Sequence, residues 1–367
     1  MAQAIEPVAH PDPQPGSLQH ALRREWPLLA LLALLLVVPP LVPGGIGRFF
    51  QGQLIAVFIL AIYAMSYDLL IGYTGIVSFG HALFFGMGAY LTADALKQGW
   101  LPFAAIPLAV ALLAAALALV IGTLSLRVKG VYFSMVTLAF AEVVFIIIRG
   151  TDRLGLENGL FGLSVPTWID PNTQRLTFYF ITLTLTVLVY LFLRMVVASP
   201  AGHVFVAIRE NENRALALGY NTLIYKLMAT VIAGVLAALA GWLSALFYLS
   251  ASPTALSVGT TINALLIVII GGVGTLIGPA LGAALYTLIG YVLQNQFARW
   301  QLVFGVVYIL LVLFLPYGLA GTWRRRQRQR IRQIVRTFDI VSQPDVPPTG
   351  DLEAGTGARG PVHEDAA

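Results

Sequence analysis

The chain has 367 residues, of which 58% are hydrophobic and only 11% charged, and its formal net charge is +5. A mean hydropathy of +0.82 excludes a water-soluble globular protein, because so much apolar surface finds no polar shell to hide beneath. The absence of cysteine excludes disulfides, thiolate metal sites and cysteine nucleophiles, and the five histidines show no ligand spacing of the H-E-x-x-H kind.

Residues 1–20 are rich in proline and polar side chains. They carry too little apolar surface to fold and are predicted to be a disordered cytoplasmic tail. From residue 21 to 322, apolar runs near the roughly 20-residue spanning length recur, which predicts one all-α transmembrane domain, a polytopic helical bundle of about ten membrane segments. The first run, 28–42, follows Arg23 and Arg24. A cleaved signal peptide competes with a spanning helix there, but Pro39, Pro40 and Pro43 replace a small-residue cleavage site and favour an uncleaved helix. Further segments are predicted at 50–71, 75–92, 101–126, 131–149, 177–197, 223–249, 261–272, 278–293 and 302–319. An even count puts both termini on one side. That side collects Arg23, Arg24, Arg127, Lys129, Arg194, Arg209, Arg214, Lys226 and the arginines from Arg324 to Arg336, so it is predicted to be cytoplasmic. The arginine cluster opens the 323–367 tail, basic and then disordered, and suits anionic headgroups; no nucleic-acid partner is expected.

The predicted cytoplasmic loop at 198–222 is not a plain polar connector. Ala207, Ile208, Ala215, Leu218 and Gly219 supply small and apolar surface, whereas Arg209, Glu210, Glu212 and Arg214 supply charge. This is the pattern of a short helix-turn element that docks in a groove, with Gly219 as a left-handed helix cap; an amphipathic loop resting on the headgroups is the alternative.

Two stretches, 75–89 and 271–282, are dense in glycine. Such helices either pack closely or are interrupted where they line a path. Polar residues within the spans are expensive in lipid and mark candidates for the translocation path: Ser78, His81, Thr137, Glu142 and Asn263. For His81 the competing reading is a packed, hydrogen-bonded histidine. For Glu142 it is a buried bond to a neighbouring helix, and for Asn263 helix-to-helix glue. Asp68 falls near a segment end, which suggests a helix-end or interfacial role. The polar stretch 151–166, with Asn158 and Gly159, faces the opposite side from the 198–222 loop.

The run A-I-R-E-N-E-N-R-A-L-A-L-G from Ala207 to Gly219 resembles the ATPase-coupling loop of LivM-type permeases from branched-chain amino acid ABC importers. Similar motifs recur in the family's order: Tyr67-Asp68-Leu69-Leu70-Ile71-Gly72-Tyr73-Thr74-Gly75, Ser78-Phe79-Gly80-His81, Arg127-Val128-Lys129-Gly130-Val131-Tyr132-Phe133, and Gly271-Gly272-Val273-Gly274-Thr275. At 154–159 the chain departs from the T-G-G-x-N-G pattern of many members. The resemblance implies a transport subunit, not an enzyme, in a bacterial inner membrane. Coupling would run through Arg209, Glu210, Glu212, Ala215 and Gly219, with a solute-binding protein docking at Asn158 and Gly159. It implies a LivH-like second permease, two ATP-binding subunits and a small-molecule solute. No cofactor is expected in this chain. It has no G-x-x-x-x-G-K-[ST] phosphate cradle, so ATP and magnesium are expected on the partner subunits. Leu138 within Val136-Thr137-Leu138-Ala139 is closer to the amino-acid branch than to urea-type relatives with I-T-Q-A. Urea or short amides, aromatic acids and, outside the family, ion-coupled secondary transport are the alternatives.

Overall fold

A computed structural model describes residues 35–37, 44–314 and 318–322. The segment expected at 28–42, apart from its residues 35–37, and the two tails lie outside the described residues. Eleven α-helices are described as follows. α1 is Gly44–Asp68, continued by a π-helical turn at Leu69–Thr74; α2 is His81–Gln98; α3 is Ile106–Ser125; α4 is Val131–Arg149; α5 is Arg175–Ala198. α6, Pro200–Glu210, and α7, Glu212–Ala217, form a short elbow before α8, Thr222–Tyr248. α9 is Val258–Gly271, α10 is Ile277–Gln296 and α11 is Trp300–Phe314. The single sheet among the described residues pairs two two-residue strands, β1 at Leu160–Phe161 and β2 at Ser250–Ala251.

Six helices are long and apolar enough to cross a bilayer, spanning Gly44–Thr74, Phe103–Ser125, Val131–Arg149, Arg175–Ala198, Thr222–Tyr248 and Ile277–Gln296; α9 and α11 are shorter apolar helices. The boundaries follow the expected segments closely except at 75–92. There the backbone from residue 75 to 80 is not helical, and α2 begins only at His81. Gly75 ends the π turn at φ +73°, a left-handed conformation that glycine adopts without strain.

α8 is the centre of the bundle and packs against α2, α3 and α1, while α10 packs along α1 and beside α9. The close seam between α2 and α8 depends on small residues. A Cβ on Gly88 would lie 2.1 Å from the Ala238 carbonyl oxygen, and one on Gly241 would lie 1.8 Å from that of Phe85. Backbones that approach so closely gain dispersion along their whole length, the main attraction available between helices in lipid. The outward faces of α3 and α4 remain apolar and exposed, including Leu108, Leu112, Leu119, Met135 and Ile146.

Contacts sort the helix ends into two groups. At one end the elbow meets the π turn and the 272–276 loop. At the other end β1 pairs with β2, and Arg175 donates to the Arg48 carbonyl at 3.1 Å.

Candidate translocation path and coupling elbow

The elbow is built from local capping. Ser199 accepts the Gly202 N–H at 3.3 Å with Pro200 at the first helical position, which starts α6. Asn211 breaks the helix in an extended conformation, and its side-chain oxygen accepts the Arg214 N–H at 3.0 Å, starting α7. Gly219 closes the turn at φ +88°, donating to the Leu216 carbonyl at 2.9 Å, while the Tyr220 N–H reaches the Ala215 carbonyl at 3.2 Å.

One face of this elbow is buried, with Val204, Ile208 and Ala215 in a cluster against Tyr225. The other presents Leu216, Leu218, Tyr220, Leu223 and Ile224 to the outside. Ile208 and Ala215, expected as contact surface, thus hold the elbow together, whereas Leu218 is 71% exposed. Glu212 accepts Lys226 Nζ at 2.7 Å and the Thr222 hydroxyl at 3.1 Å, with Lys129 at 3.9 Å. Partial burial works to raise its pKa, but the hydrogen bond and charge of Lys226, the Thr222 bond and the Lys129 charge outweigh it and hold Glu212 below the usual carboxylate range. Arg209 donates to the Gly72 carbonyl of the π turn. Of the five coupling candidates, Arg209, Glu212 and Ala215 are therefore engaged within the chain, and Arg209, Glu210 and Gly219 are exposed.

The path candidates separate into four places. Ser78 and Thr137 are buried beside Gly80, where a Cβ would lie 2.3 Å from the Thr137 carbonyl oxygen; the Tyr67 hydroxyl donates to the Ser78 carbonyl at 2.9 Å. His81 is fully buried, stacked on Tyr63 and packed by Tyr67. Its Nε2 lies 2.9 Å from Ser66 Oγ, and that hydroxyl already donates to the Tyr63 carbonyl at 2.6 Å. The imidazole therefore donates through Nε2 and carries its lone pair on Nδ1. The next residue, Ala82, donates its N–H to Thr261 Oγ1 at 2.9 Å, which fastens the start of α2 to α9.

Asn263 is half-buried at a cavity of about 490 Å³. Ser244, Tyr248, Ser252, Ser257 and Thr260 line the same cavity, and Phe85 and Ala89 supply apolar wall. These hydroxyls escaped the sequence reading, although the serine- and threonine-dense run at 250–261 between two apolar helices was the available signal. Glu142 stands on the exposed face of α4 near Ala139 and Val143, with no partner among the described residues. This corrects the alternative of a buried bond to a neighbouring helix within the chain.

At the end away from the elbow, Asn158 is exposed while Gly159 is buried against Ala251 and Ser252. The loop is clamped to α2 by Arg153, whose guanidinium reaches the two Asp94 oxygens at 2.9 and 2.7 Å, and Trp100 Nε1 donates to the same carboxylate at 3.1 Å. Gly159 thus shapes the loop, and Asn158, Leu156, Phe161 and Trp168 form its exposed surface.

A lipid-facing bundle with interrupted helices, a hydroxyl-lined cavity toward one end and a compact elbow at the other defines a membrane transport protein of the permease class. Residues 50–315 match the family described as branched-chain amino acid transport system / permease component, and the chain belongs to that family. It is similar to the high-affinity branched-chain amino acid transport system permease protein LivM of Escherichia coli (strain K12), 28% identical over 319 residues, 80% of this chain and 74% of that protein. The protein of the same name from Salmonella typhimurium is 26% identical over 318 residues, with the same coverage. A probable branched-chain amino acid transport permease protein LivM of Methanocaldococcus jannaschii is 28% identical over 309 residues, 70% of this chain and 89% of its own length. No solved structure matches.

Proposed function

We propose that the chain forms one half of the translocation path of an ATP-driven importer for branched-chain amino acids. In this reading a related second permease supplies the other half, and two partner subunits hydrolyse ATP and hold its magnesium. A binding protein delivers the solute at the Asn158 end. The single observation that carries the coupling claim is the elbow, whose buried face is locked to the bundle while Leu216, Leu218, Tyr220, Leu223 and Ile224 stand out as an apolar row. A row of that kind on a rigid mount suits a groove in a partner.

Glu142 supports the pairing of permeases. A carboxylate midway along a spanning helix is costly against acyl chains, so its exposed face belongs against a path or a second subunit. The cavity supports a small zwitterion with an aliphatic side chain: its hydroxyls and Asn263 offer neutral hydrogen bonds, and Phe85 and Ala89 offer apolar surface. The basic residues Lys129, Arg209, Arg214 and Lys226 gather at the elbow end, which supports a cytoplasmic elbow in a bacterial inner membrane.

The test is uptake into liposomes that hold the complete complex, with labelled leucine, urea and an aromatic acid as probes. ATP-dependent leucine uptake is the expected result. Uptake driven by an ion gradient with the ATP-binding subunits withheld would establish secondary transport instead, and preference for urea or the aromatic acid would reassign the solute.

A further inference from the structure

Asp68 is the ionisable side chain to which the functional reading gives no task. It is fully buried near the end of α1. One carboxylate oxygen accepts the Gly274 N–H at 2.7 Å and the other accepts the Leu276 N–H at 3.2 Å. Both amides belong to the loop that separates α9 from α10, so a carboxylate on α1 caps the start of α10 from across the bundle. The N-terminus of a helix favours negative charge, and amides buried there need acceptors.

The same loop touches the elbow's contact. Arg209 donates to the Gly72 carbonyl, one turn beyond Asp68. A Cβ on Gly72 would lie 2.6 Å from Gly274 N and 2.3 Å from Asp68 Oδ1, so both backbones must be bare for the three groups to meet. The Tyr73 hydroxyl adds a third tie, donating to the Gly274 carbonyl at 3.1 Å. The elbow, the π turn and the 272–276 loop are therefore one hydrogen-bonded clasp. It joins the two places where α-helix gives way, the end of α1 and the break between α9 and α10, and π-helical turns concentrate at functional sites.

We propose that Asp68 is a positioning residue for transport: by clasping Gly274 and Leu276 it makes the start of α10 follow the π turn when the elbow is displaced through Arg209. This rests on the elbow being the ATPase-facing element. A buried carboxylate is a costly acceptor, and an amide in its place would oppose one of the two N–H donors with its own NH₂.

The experiment compares wild type and Asp68→Asn in the complete complex in lipid, by hydrogen exchange with and without ATP and by labelled leucine moved per ATP hydrolysed. In wild type, nucleotide alters exchange at 200–219 and at 272–280 together. In Asp68→Asn the change at 200–219 persists, that at 272–280 is lost, and leucine moved per ATP falls about ten-fold or more, the equivalent of one buried amide losing its acceptor. Exchange at 272–280 that still follows nucleotide in Asp68→Asn, with an unchanged transport ratio, overturns the clasp alone. No nucleotide-linked change at 200–219 in wild type overturns the elbow reading and the clasp with it. Should Asp68→Asn fail to assemble, Tyr73→Phe removes a single tie and lowers the ratio about two-fold or more; an unchanged ratio there overturns the proposal.

Discussion

Replacing Leu218 by alanine isolates what the elbow's outer face contributes to partner binding. Leu218 is 71% exposed, so nearly all of its side chain is available to be covered. Fully burying an exposed leucine is worth about 1.5–3 kcal/mol, and scaling by the exposed share leaves about 1–2 kcal/mol for docking. That corresponds to an increase of about 5- to 30-fold in Kd for the ATP-binding subunits. The elbow's own stability is little affected, since the residue touches little within the chain. Ile208, 4% exposed in the inner cluster, is the contrasting case, because its truncation leaves a cavity costing about 2–5 kcal/mol and damages the elbow itself. The assay is titration of purified ATP-binding subunits onto the permease pair held in lipid nanodiscs. A Kd for Leu218→Ala equal to that of the wild type would refute the assignment of this face, whatever the effect at Ile208.

Gly241→Ala forces apart the seam of α2 and α8, where the new Cβ would meet the Phe85 carbonyl oxygen; the cost is about 1–3 kcal/mol or more, read as a lower Tm in detergent. Gly290→Ala, with nothing within 4 Å of its Cβ, gains about 0.5–1 kcal/mol of helix preference, and its Tm stays level or rises. For Glu212 the folded-state pKa is depressed by Lys226, Thr222 and Lys129. Its contribution is therefore present above the ordinary carboxylate range and lost as pH falls through the lower folded value. Hydrogen exchange of the elbow should separate wild type from Glu212→Gln at neutral pH and converge for the two as the solution becomes acid.

Much of the bundle is legible because lipid imposes a simple rule: a spanning segment must be apolar throughout and satisfy its own backbone. The helices α4, Val131–Arg149, and α8, Thr222–Tyr248, accordingly fall where hydropathy puts them. Hydropathy does not report backbone conformation, which is why residues 75–80 read as the first turns of a helix. Their polar groups find partners elsewhere: Ser134 Oγ donates to the Val77 carbonyl at 2.6 Å, and Tyr67 to that of Ser78. The elbow shows a related limit. Its composition points to small and apolar surface without saying which way each residue faces; a turn of one extended residue at Asn211 puts Ala215 inward and Leu218 outward.

The buried charge at Asp68 shows where a local reading stops. Its position near the end of an apolar run correctly suggests a helix end, but the end it serves belongs to α10, and Gly274 lies 206 positions away in sequence. A carboxylate without partners there would cost several kcal/mol, so the fold must supply donors, yet any backbone amide can be one and amides carry no sequence signature. What the sequence does carry is the space those amides need. Gly72 and Gly274 are bare where Asp68, Arg209 and the two backbones converge, and a methyl group on Gly72 would occupy the place of the Asp68 oxygen. Gly72 and Gly274 thus serve more than close helix packing, since they admit a charged side chain to a neighbour's backbone. The same geometry makes Arg209 part of the bundle's internal wiring, with its guanidinium already committed to the Gly72 carbonyl. In the proposed reading a partner rests on the exposed apolar residues around it, and Arg209 carries their displacement inward to the π turn.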